Sequence, residues 1–438
     1  MREGRKEIMK TKEYLAGFYK GTKGPTLEAI EYFMEKLNHP EQRLKVVHVA
    51  GTNGKGSVCE MLSTVLEQAG YKVGLFMSPH IVRFSERIRV NHKEISEDEL
   101  EKLTNQMKPF VESYNQTHDV KVTLFEIETA MAFMYFVKKE CDIVVLETGL
   151  GGLVDCTNVA EPIVSMITSI GYDHMDILGN TIEEIAFQKA GIIKKNSETI
   201  FVHGEPSVNA IIEETCKKKN NVLHEITKND WTTPTYEEGY QIFDYKDQKQ
   251  VKINLKGAKQ VENACMVLEA ISVLQNKGYV ISKEAIEQGL KKVVHKARFE
   301  QIYENPTIIF DGGHNEPAIR NLKQTINQYY QNKKKVYVVS ILQTKDYKTV
   351  VKELMEDTEA IFIFTNGTKQ QDEVKCYVKK EDLYAEALKY RTINLYMSSL
   401  EEALQTCKRE YKDRIVFVVG SFYTYKEVIE NLKKGENV

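Results

Sequence analysis

The sequence predicts a two-domain α/β protein in which each domain is built on a mostly parallel sheet covered by helices. Three observations predict it. At 438 residues the chain exceeds the size at which one hydrophobic core keeps growing, so two or three domains of roughly 100–200 residues each are expected. Short apolar runs alternate with helix-like stretches from Lys45 to Gly204, and alternation of this kind implies parallel strands. A second alternation of the same type begins after Arg298.

The elements follow in order. KVVHVA (Lys45 to Ala50) is apolar and β-branched and reads as a buried strand; the glycine-rich turn AGTNGKGS (Ala50 to Ser57) follows it. VCEMLSTVLEQAG then carries apolar residues at helical spacing, which places a helix start near Ser57. KVGLF (Lys72 to Phe76), CDIVVLE (Cys141 to Glu147), IVSMITS (Ile163 to Ser169) and TIFVHG (Thr199 to Gly204) are further strands. Between Trp231 and Leu255 a polar, tyrosine-rich alternation with a KDQK turn reads as antiparallel hairpin structure at the edge of the first domain, and helices resume at Lys259. TIIFDGG (Thr307 to Gly313), KKVYVVSI (Lys333 to Ile341), EAIFIFT (Glu359 to Thr365), TINLYM (Thr392 to Met397) and RIVFVVGS (Arg414 to Ser421) supply a second, smaller, Rossmann-like domain. The junction is expected at Val293 to Ala297, which gives domains of 1–296 and 297–438.

Composition narrows the class. With 42% hydrophobic and 28% charged residues the chain reads as a soluble globular protein. A formal net charge of -3 argues against a general nucleic-acid or membrane binder, and the basic clusters Lys217 to Lys219 and Lys333 to Lys335 read as solvated helix ends and turns. No apolar run approaches the roughly 18 residues that span a bilayer, and MREGRKEIMK lacks the apolar core of a signal peptide, so the cytoplasm is expected. Cys59, Cys141, Cys156, Cys216, Cys265, Cys376 and Cys407 show no CxxC spacing and are odd in number, which fits reduced thiols.

The chemistry concentrates around AGTNGKGS. Gly51, Gly54 and Gly56 lack the Cβ atoms that would keep backbone N–H groups from closing around phosphate oxygens, and the following helix points its positive end there. Lys55 adds a point charge and Ser57 a hydroxyl suited to Mg²⁺. The pattern GxxxxGK[ST] is not met, because Gly56 separates Lys55 from Ser57. In open α/β sheets ligands lie beyond the carboxyl ends of the strands, so Ser78, Glu147, Asp155, His174 and Lys189 should converge near Lys55. Taken alone, Glu147 either holds a metal through hard oxygens or caps a helix. By the same reading His174 is a structural histidine, Lys189 a solvated lysine and DGGHN (Asp311 to Asn315) a turn. GLGGLVD (Gly149 to Asp155) misses the dinucleotide pattern GxGxxG because Val154 stands where glycine is needed.

GTNGKGS resembles the ATP loop of the Mur ligase family, whose members join an amino acid to a carboxylate through an acyl phosphate. SPHIVRFSERI, GLGG with DCTN, and DHMDILGNTIEEIAFQKAGI narrow the resemblance to folylpolyglutamate and dihydrofolate synthases. It runs on through GAKQVENA (Gly257 to Ala264), ARFE (Ala297 to Glu300), DGGHNEPA (Asp311 to Ala318) and GSFY (Gly420 to Tyr423). The resemblance implies an N-terminal phosphate-loop ATPase-like domain and a C-terminal glutamate ligase domain. It implies that Thr52, Asn53, Gly54, Lys55, Gly56 and Ser57 hold ATP, with Asn263, Arg298 and Asp311 as further nucleotide contacts. Ser57, Ser78, Glu147 and His174 are the implied Mg²⁺ ligands; Lys55, Lys189 and His314 are the implied catalytic residues, with Lys189 carbamylated and its pKa therefore depressed by burial or a nearby cation. Asp155 is the implied contact for a pterin-bearing substrate, and His314 and Ser421 lie by the amino-acid site.

Three departures stand out against the family pattern. Leu153 replaces the arginine of GGRLD, His295, Lys296 and Ala297 precede Arg298 where the family has WPGR, and Thr344 replaces the first aspartate of DKD before Lys345 and Asp346. The implied function is an ATP-dependent amide ligase that adds L-glutamate to a folate, to dihydropteroate, or to both, releasing ADP and phosphate. Positioning and electrostatics suffice for such chemistry, and closure of the two domains is expected to exclude water. The implied partners are small-molecule substrates alone, and the implied state is a monomer. Two other readings compete: a Mur ligase acting on a UDP-linked muramyl acceptor, and a non-catalytic nucleotide-binding relative. The first requires a UDP-binding domain of about a hundred residues before the loop, whereas 50 residues precede Gly51.

Overall fold

The computed structural model describes residues 11, 13–18, 26–367 and 376–434; the MREGRKEIMK segment read above lies outside them. The chain packs as two units, one of Met1–Asn254 with Gln260–Val293 and the other of Leu255–Lys259 with Val294–Val438.

The first unit is built on an eight-stranded sheet of order β4-β3-β2-β5-β1-β6-β7-β8. Its strands are β1 (Val46–Ala50), β2 (Val73–Phe76), β3 (Ile88–Val90), β4 (Lys93–Glu94), β5 (Ile143–Glu147), β6 (Pro162–Ile167), β7 (Glu198–Val202) and β8 (Val222–Ile226). From β2 through β8 every neighbour pair is parallel, while β3 and β4 add an antiparallel edge. β1 and β5 are buried at every position, as expected for central strands covered on both faces. Removing one such valine or isoleucine from water contributes about 1.5–3 kcal/mol. The helix Leu124–Lys138 adds Ile127, Phe133 and Phe136 to this core.

The predicted strands are all present, with ends that differ by one to a few residues. The β3–β4 edge and β8 were not read from the sequence. β3 alternates arginine with aliphatic residues and β8 carries His224 and Glu225 on a largely solvated edge, so neither offers an apolar run. The hairpin region forms three antiparallel strands, β9 (Thr235–Glu237), β10 (Tyr240–Tyr245) and β11 (Gln248–Ile253), and residues Gln260–Val293 beyond it return to the same unit.

The second unit carries a six-stranded sheet of order β12-β13-β17-β14-β15-β16. The strands are β12 (Glu300–Tyr303), β13 (Ile308–Asp311), β14 (Lys335–Val339), β15 (Ile361–Phe364), β16 (Leu395–Met397) and β17 (Ile415–Val419). All pairs are parallel except β12 with β13. Tyr337 stacks on Phe362 at 4.9 Å and on Phe417 at 5.5 Å in its core. β17 lies between β13 and β14, so the carboxyl ends of β13 and β17 stand side by side where the strand order reverses. The seven cysteines are free thiols. Among the described residues no helix is long and apolar enough to cross a membrane.

Candidate active site

The phosphate loop leaves the buried end of β1 and enters the helix Lys55–Gln68 at Gly54, whose φ of 95° is left-handed and favours glycine. The helix therefore starts two residues before the predicted Ser57. Residues following β6 hold the loop from behind. Thr52 N–H donates to Ser169 O at 2.7 Å, Asn53 N–H to Ser169 Oγ at 3.2 Å, and Thr168 Oγ1 donates to Asn53 O at 2.8 Å. Packing there is close enough that a Cβ on Gly51 would fall 1.7 Å from Thr168 Oγ1, and one on Gly54 2.6 Å from Asn263 Oδ1. The second distance sets the buried Asn263 amide, itself donating to Gln260 Oε1 at 3.0 Å, directly against the loop. Lys55 Nζ folds back onto Gly51 O at 3.0 Å. Ser57 is buried in the first turn of the helix.

Glu147 ends β5 beside Val49 of β1. Its carboxylate is buried, and Oε2 accepts the backbone N–H of Ser78 at 3.2 Å. The hydroxyls of Ser57 and Ser78 and this carboxylate are hard oxygen donors, and Mg²⁺ is usually held through one or two carboxylates with phosphates and water. The donor set fits the ion. His174 is placed differently: it is exposed, left-handed at φ 50°, and its Nε2 lies 3.9 Å from Asp173 Oδ1.

Lys189 ends the helix Ile182–Ala190 and is 3% exposed. Burial first, and the Lys55 charge second, lower its pKa to about 7, against the opposing pull of Asp173 and Asp155. This is the depression that a neutral-amine reaction requires. The loop Gly149–Val154 packs onto the end of that helix. Leu153 N–H donates to Gln188 O at 2.7 Å, and a Cβ on Gly152 would meet Gln188 O at 2.8 Å and Lys189 O at 3.0 Å. Asp155 anchors the loop from the other side: Oδ2 accepts Leu150 N–H at 2.7 Å and Oδ1 accepts Thr157 N–H at 3.0 Å and the Thr157 hydroxyl. Burial raises the Asp155 pKa, and these donors oppose the rise. Its carboxylate is thus engaged within the loop.

In the second unit Asp311 closes β13 and faces Val419 of β17. Its Oδ2 accepts Phe299 N–H at 3.0 Å and Oδ1 accepts Gly313 N–H at 2.8 Å. Burial raises its pKa while Arg298 pulls it down. Arg298 lies over the Phe422 ring at 4.3 Å, and His314 meets the same ring edge-on at 5.7 Å. His314 Nδ1 is 2.9 Å from Gly312 O, and buried Ser421 caps the turn that follows β17 by accepting Tyr423 N–H at 3.2 Å. Asp346 caps the helix Tyr347–Met355 by accepting Thr349 N–H at 3.2 Å.

Two clusters result. Within the first unit the structure gathers Thr52 to Ser57 with Asn263, joins Ser78 to Glu147, and sets Lys189 within the field of Lys55 and Asp155. Within the second it gathers Arg298, Asp311, His314 and Ser421. Sequence reasoning passed over Thr168, Ser169, Asp173 and Phe422. Thr168 and Ser169 directly follow a strand, the signal that identified Glu147, and Phe422 sits inside the quoted GSFY.

Comparison with known proteins shows the family and the two-domain fold. Residues 49–271 match the Mur ligase middle domain and residues 295–431 the dihydrofolate synthetase C-terminal domain. The dihydrofolate synthase/folylpolyglutamate synthase of Bacillus subtilis (strain 168) is 36% identical over 417 residues, covering 93% of this chain and 95% of that one. The crystal structure of folylpolyglutamate synthase from Thermotoga maritima superposes with a TM-score of 0.82 at 30% identity, covering 98% of this chain and 97% of that one. That of E. coli FolC in complex with DHPP and ADP gives 0.82 at 27% identity, covering 97% of each chain.

Proposed function

Because this chain belongs to the dihydrofolate synthase/folylpolyglutamate synthase family of Mur ligases, we propose that it is an ATP-dependent amide ligase that joins L-glutamate to a folate, to dihydropteroate, or to both. The carboxylate of the acceptor attacks the γ-phosphate of ATP, giving an acyl phosphate and ADP; the glutamate amine then displaces phosphate. The observation that carries this reading is the placement of buried Lys189, with a pKa near 7, within the field of Lys55 on the phosphate loop.

Each residue has a task. Backbone N–H groups of Gly54 to Ser57, at the start of the helix, and the Lys55 ammonium hold the phosphates and offset the charge that develops on them, while Thr52 and Asn53 shape the loop through Ser169. Asn263, against Gly54, binds the nucleotide, as do Arg298 and Asp311. Ser57, Ser78 and Glu147 would hold Mg²⁺, which would supply positive charge at the transferred phosphate; the exposed His174, beside Asp173, is not among these donors. Lys189, whose ammonium is disfavoured by burial and by Lys55, adds as the neutral amine to carbon dioxide with loss of a proton, and the resulting carbamate offers anionic oxygens where the amine offered a cation. Asp155 holds the Gly149–Val154 loop through its bonds to Leu150 and Thr157, and so acts on the acceptor through that loop; His314 and Ser421 hold glutamate. The enzyme acts as a cytoplasmic monomer on small-molecule substrates, without nucleic acid or membrane.

ADP release by the purified protein in glutamate and Mg²⁺-ATP tests the function. Addition of dihydropteroate or tetrahydrofolate should stimulate it; ATP binding with no stimulation by either acceptor would overturn the proposal.

A further inference from the structure

His48 lies at the middle of β1, three positions before Gly51, and is fully buried. An aliphatic side chain like its neighbours Val47 and Val49 would fill this place without the cost of desolvating an imidazole. What the imidazole adds is a polar contact. Nε2 is 2.8 Å from Thr157 Oγ1, and that hydroxyl in turn bonds Asp155 Oδ1.

The hydroxyl has one proton, so the direction of the chain can be derived. Both carboxylate oxygens of Asp155 already accept backbone N–H groups, from Thr157 and Leu150. Asp155 is therefore the acceptor, the Thr157 hydroxyl points its proton at it, and the Thr157 oxygen must receive its own bond from His48 Nε2–H. Nδ1 is then bare. Among the described residues it has no hydrogen-bond partner, and a bare buried acceptor is less costly than a buried N–H without one. Burial, with Lys194, holds the ring neutral by lowering its pKa to about 3.

We propose that His48 is a positioning residue: through Thr157 it fixes the Asp155 carboxylate, and through Asp155 it fixes the loop Gly149–Val154 that packs on the end of the Lys189 helix. The relay ties the strand that launches the phosphate loop to the loop beside the reacting lysine, with both His48 and Thr157 fully buried. It rests on the reading of Lys189 and Asp155 as site residues.

Two measurements test it. In the wild-type protein, ¹⁵N NMR should report His48 as the Nε2–H tautomer with unprotonated Nδ1 and no titration between about pH 5 and 9; an Nδ1–H tautomer, or a midpoint near the ordinary histidine value, would overturn the relay. In kinetics, Thr157→Val should lower kcat by about tenfold or more while the KM for ATP stays within about twofold, and Thr157→Ser should recover most of the loss. Equal impairment of both variants, or a wild-type kcat for Thr157→Val, would also overturn it. His48→Gln, whose amide retains a donor near Nε2, against His48→Leu gives the same contrast if Thr157→Val does not fold. A wild-type enzyme without acceptor-dependent ADP release would sink the ligase reading and leave the tautomer to decide the relay.

Discussion

An ammonium buried in protein loses hydration, and a second ammonium nearby makes it costlier still; Lys189 carries both burdens. Its folded pKa of about 7 lies below the ordinary 10.5, so between those values the unfolded chain binds the extra proton. Stability from this group is therefore flat below about pH 7 and rises with pH up to 10.5. Lys189→Met keeps the stem and removes the titration, and urea unfolding at pH 7 and 9 should show wild type gaining stability that the variant does not; parallel gains would refute the shift. Lys189→Ala should reduce kcat by about 100-fold while the KM for ATP changes less than about threefold, and wild-type kinetics would remove the carbamate from the mechanism. Ala297 stands where the family pattern has the glycine of WPGR, and the structure gives it a left-handed φ of 58°, held by Ala297 N–H to Glu300 Oε2 at 2.7 Å. Left-handed backbone costs a residue with a Cβ about 1–2 kcal/mol, and the greater freedom of glycine in the unfolded chain offsets about 0.4–1 kcal/mol. Removing the buried methyl costs about 0.8 kcal/mol in turn, so Ala297→Gly should change stability by less than about 1 kcal/mol in denaturant titrations, and a loss of about 2 kcal/mol or more would show that the backbone is not strained there. The phosphate-loop residues were legible in sequence because glycine and lysine at that spacing have little else to do. Lys189 was legible only through resemblance, since nothing in a helical IEEIAFQKAGII run says which lysine is buried. The His48 contact was not legible at all, because its partner is 109 positions away.

At the scale of elements, the β10–β11 hairpin is fastened to the large sheet by charge. Glu269 of the helix Ala258–Asn276 accepts from Tyr245 and Lys246 at 2.7 Å each, and His224 of β8 lies between Glu269 at 3.4 Å and Glu198 of β7 at 2.7 Å. Lys277 completes the set at 2.6 Å from Glu198. The hydrogen bond to Glu269 leads the causes that raise the His224 pKa, and the bond to His224 leads those that hold Glu269 down to about 2. The raised histidine contributes stability in full below its ordinary 6.5 and loses it as pH rises through the folded value; the depressed glutamate contributes above its ordinary 4.5 and loses it as pH falls toward about 2. Both contributions are complete between 4.5 and 6.5. Glu269→Gln should accordingly speed hydrogen exchange of the β10–β11 amides, with a larger excess over wild type at about pH 5.5 than at about pH 8; an excess equal at both would argue that the fastening is not ionic. The hairpin itself was legible from alternation and its turn. Its fastening was not, because that joins four elements whose charged residues read singly as solvated. The edge strands β3, β4 and β8 escaped for a related reason: paired on an edge, they need no apolar run.

For the whole molecule, two periodic alternations were enough to predict two mostly parallel sheets, since each buries its strands in a core of its own. The return of Leu255–Lys259 to the second unit had no such signal, being a packing choice of five residues beside a helix start. Within the first unit, which holds both Gly51 and Lys189, ligand binding and turnover can be separated by where a substitution falls. A nonhydrolysable ATP analogue at 100 times its Kd should stabilise the folded state by about 2.7 kcal/mol, which at about 2–4 °C per kcal/mol for a domain of this size is a rise of about 5–10 °C. Gly51→Ala should abolish that rise, because its Cβ would fall 1.7 Å from Thr168 Oγ1, the hydroxyl that fastens the loop through Asn53 O and Ala50 O. Its own melting point should drop only slightly, since the loop can shift without opening β1. Lys189→Ala should keep the rise in full while losing turnover. Thermal scans of the three proteins with and without the analogue check both statements: a full rise in Gly51→Ala would show that the nucleotide does not depend on this loop, and a lost rise in Lys189→Ala would make that lysine a binding group, with its effect on turnover secondary.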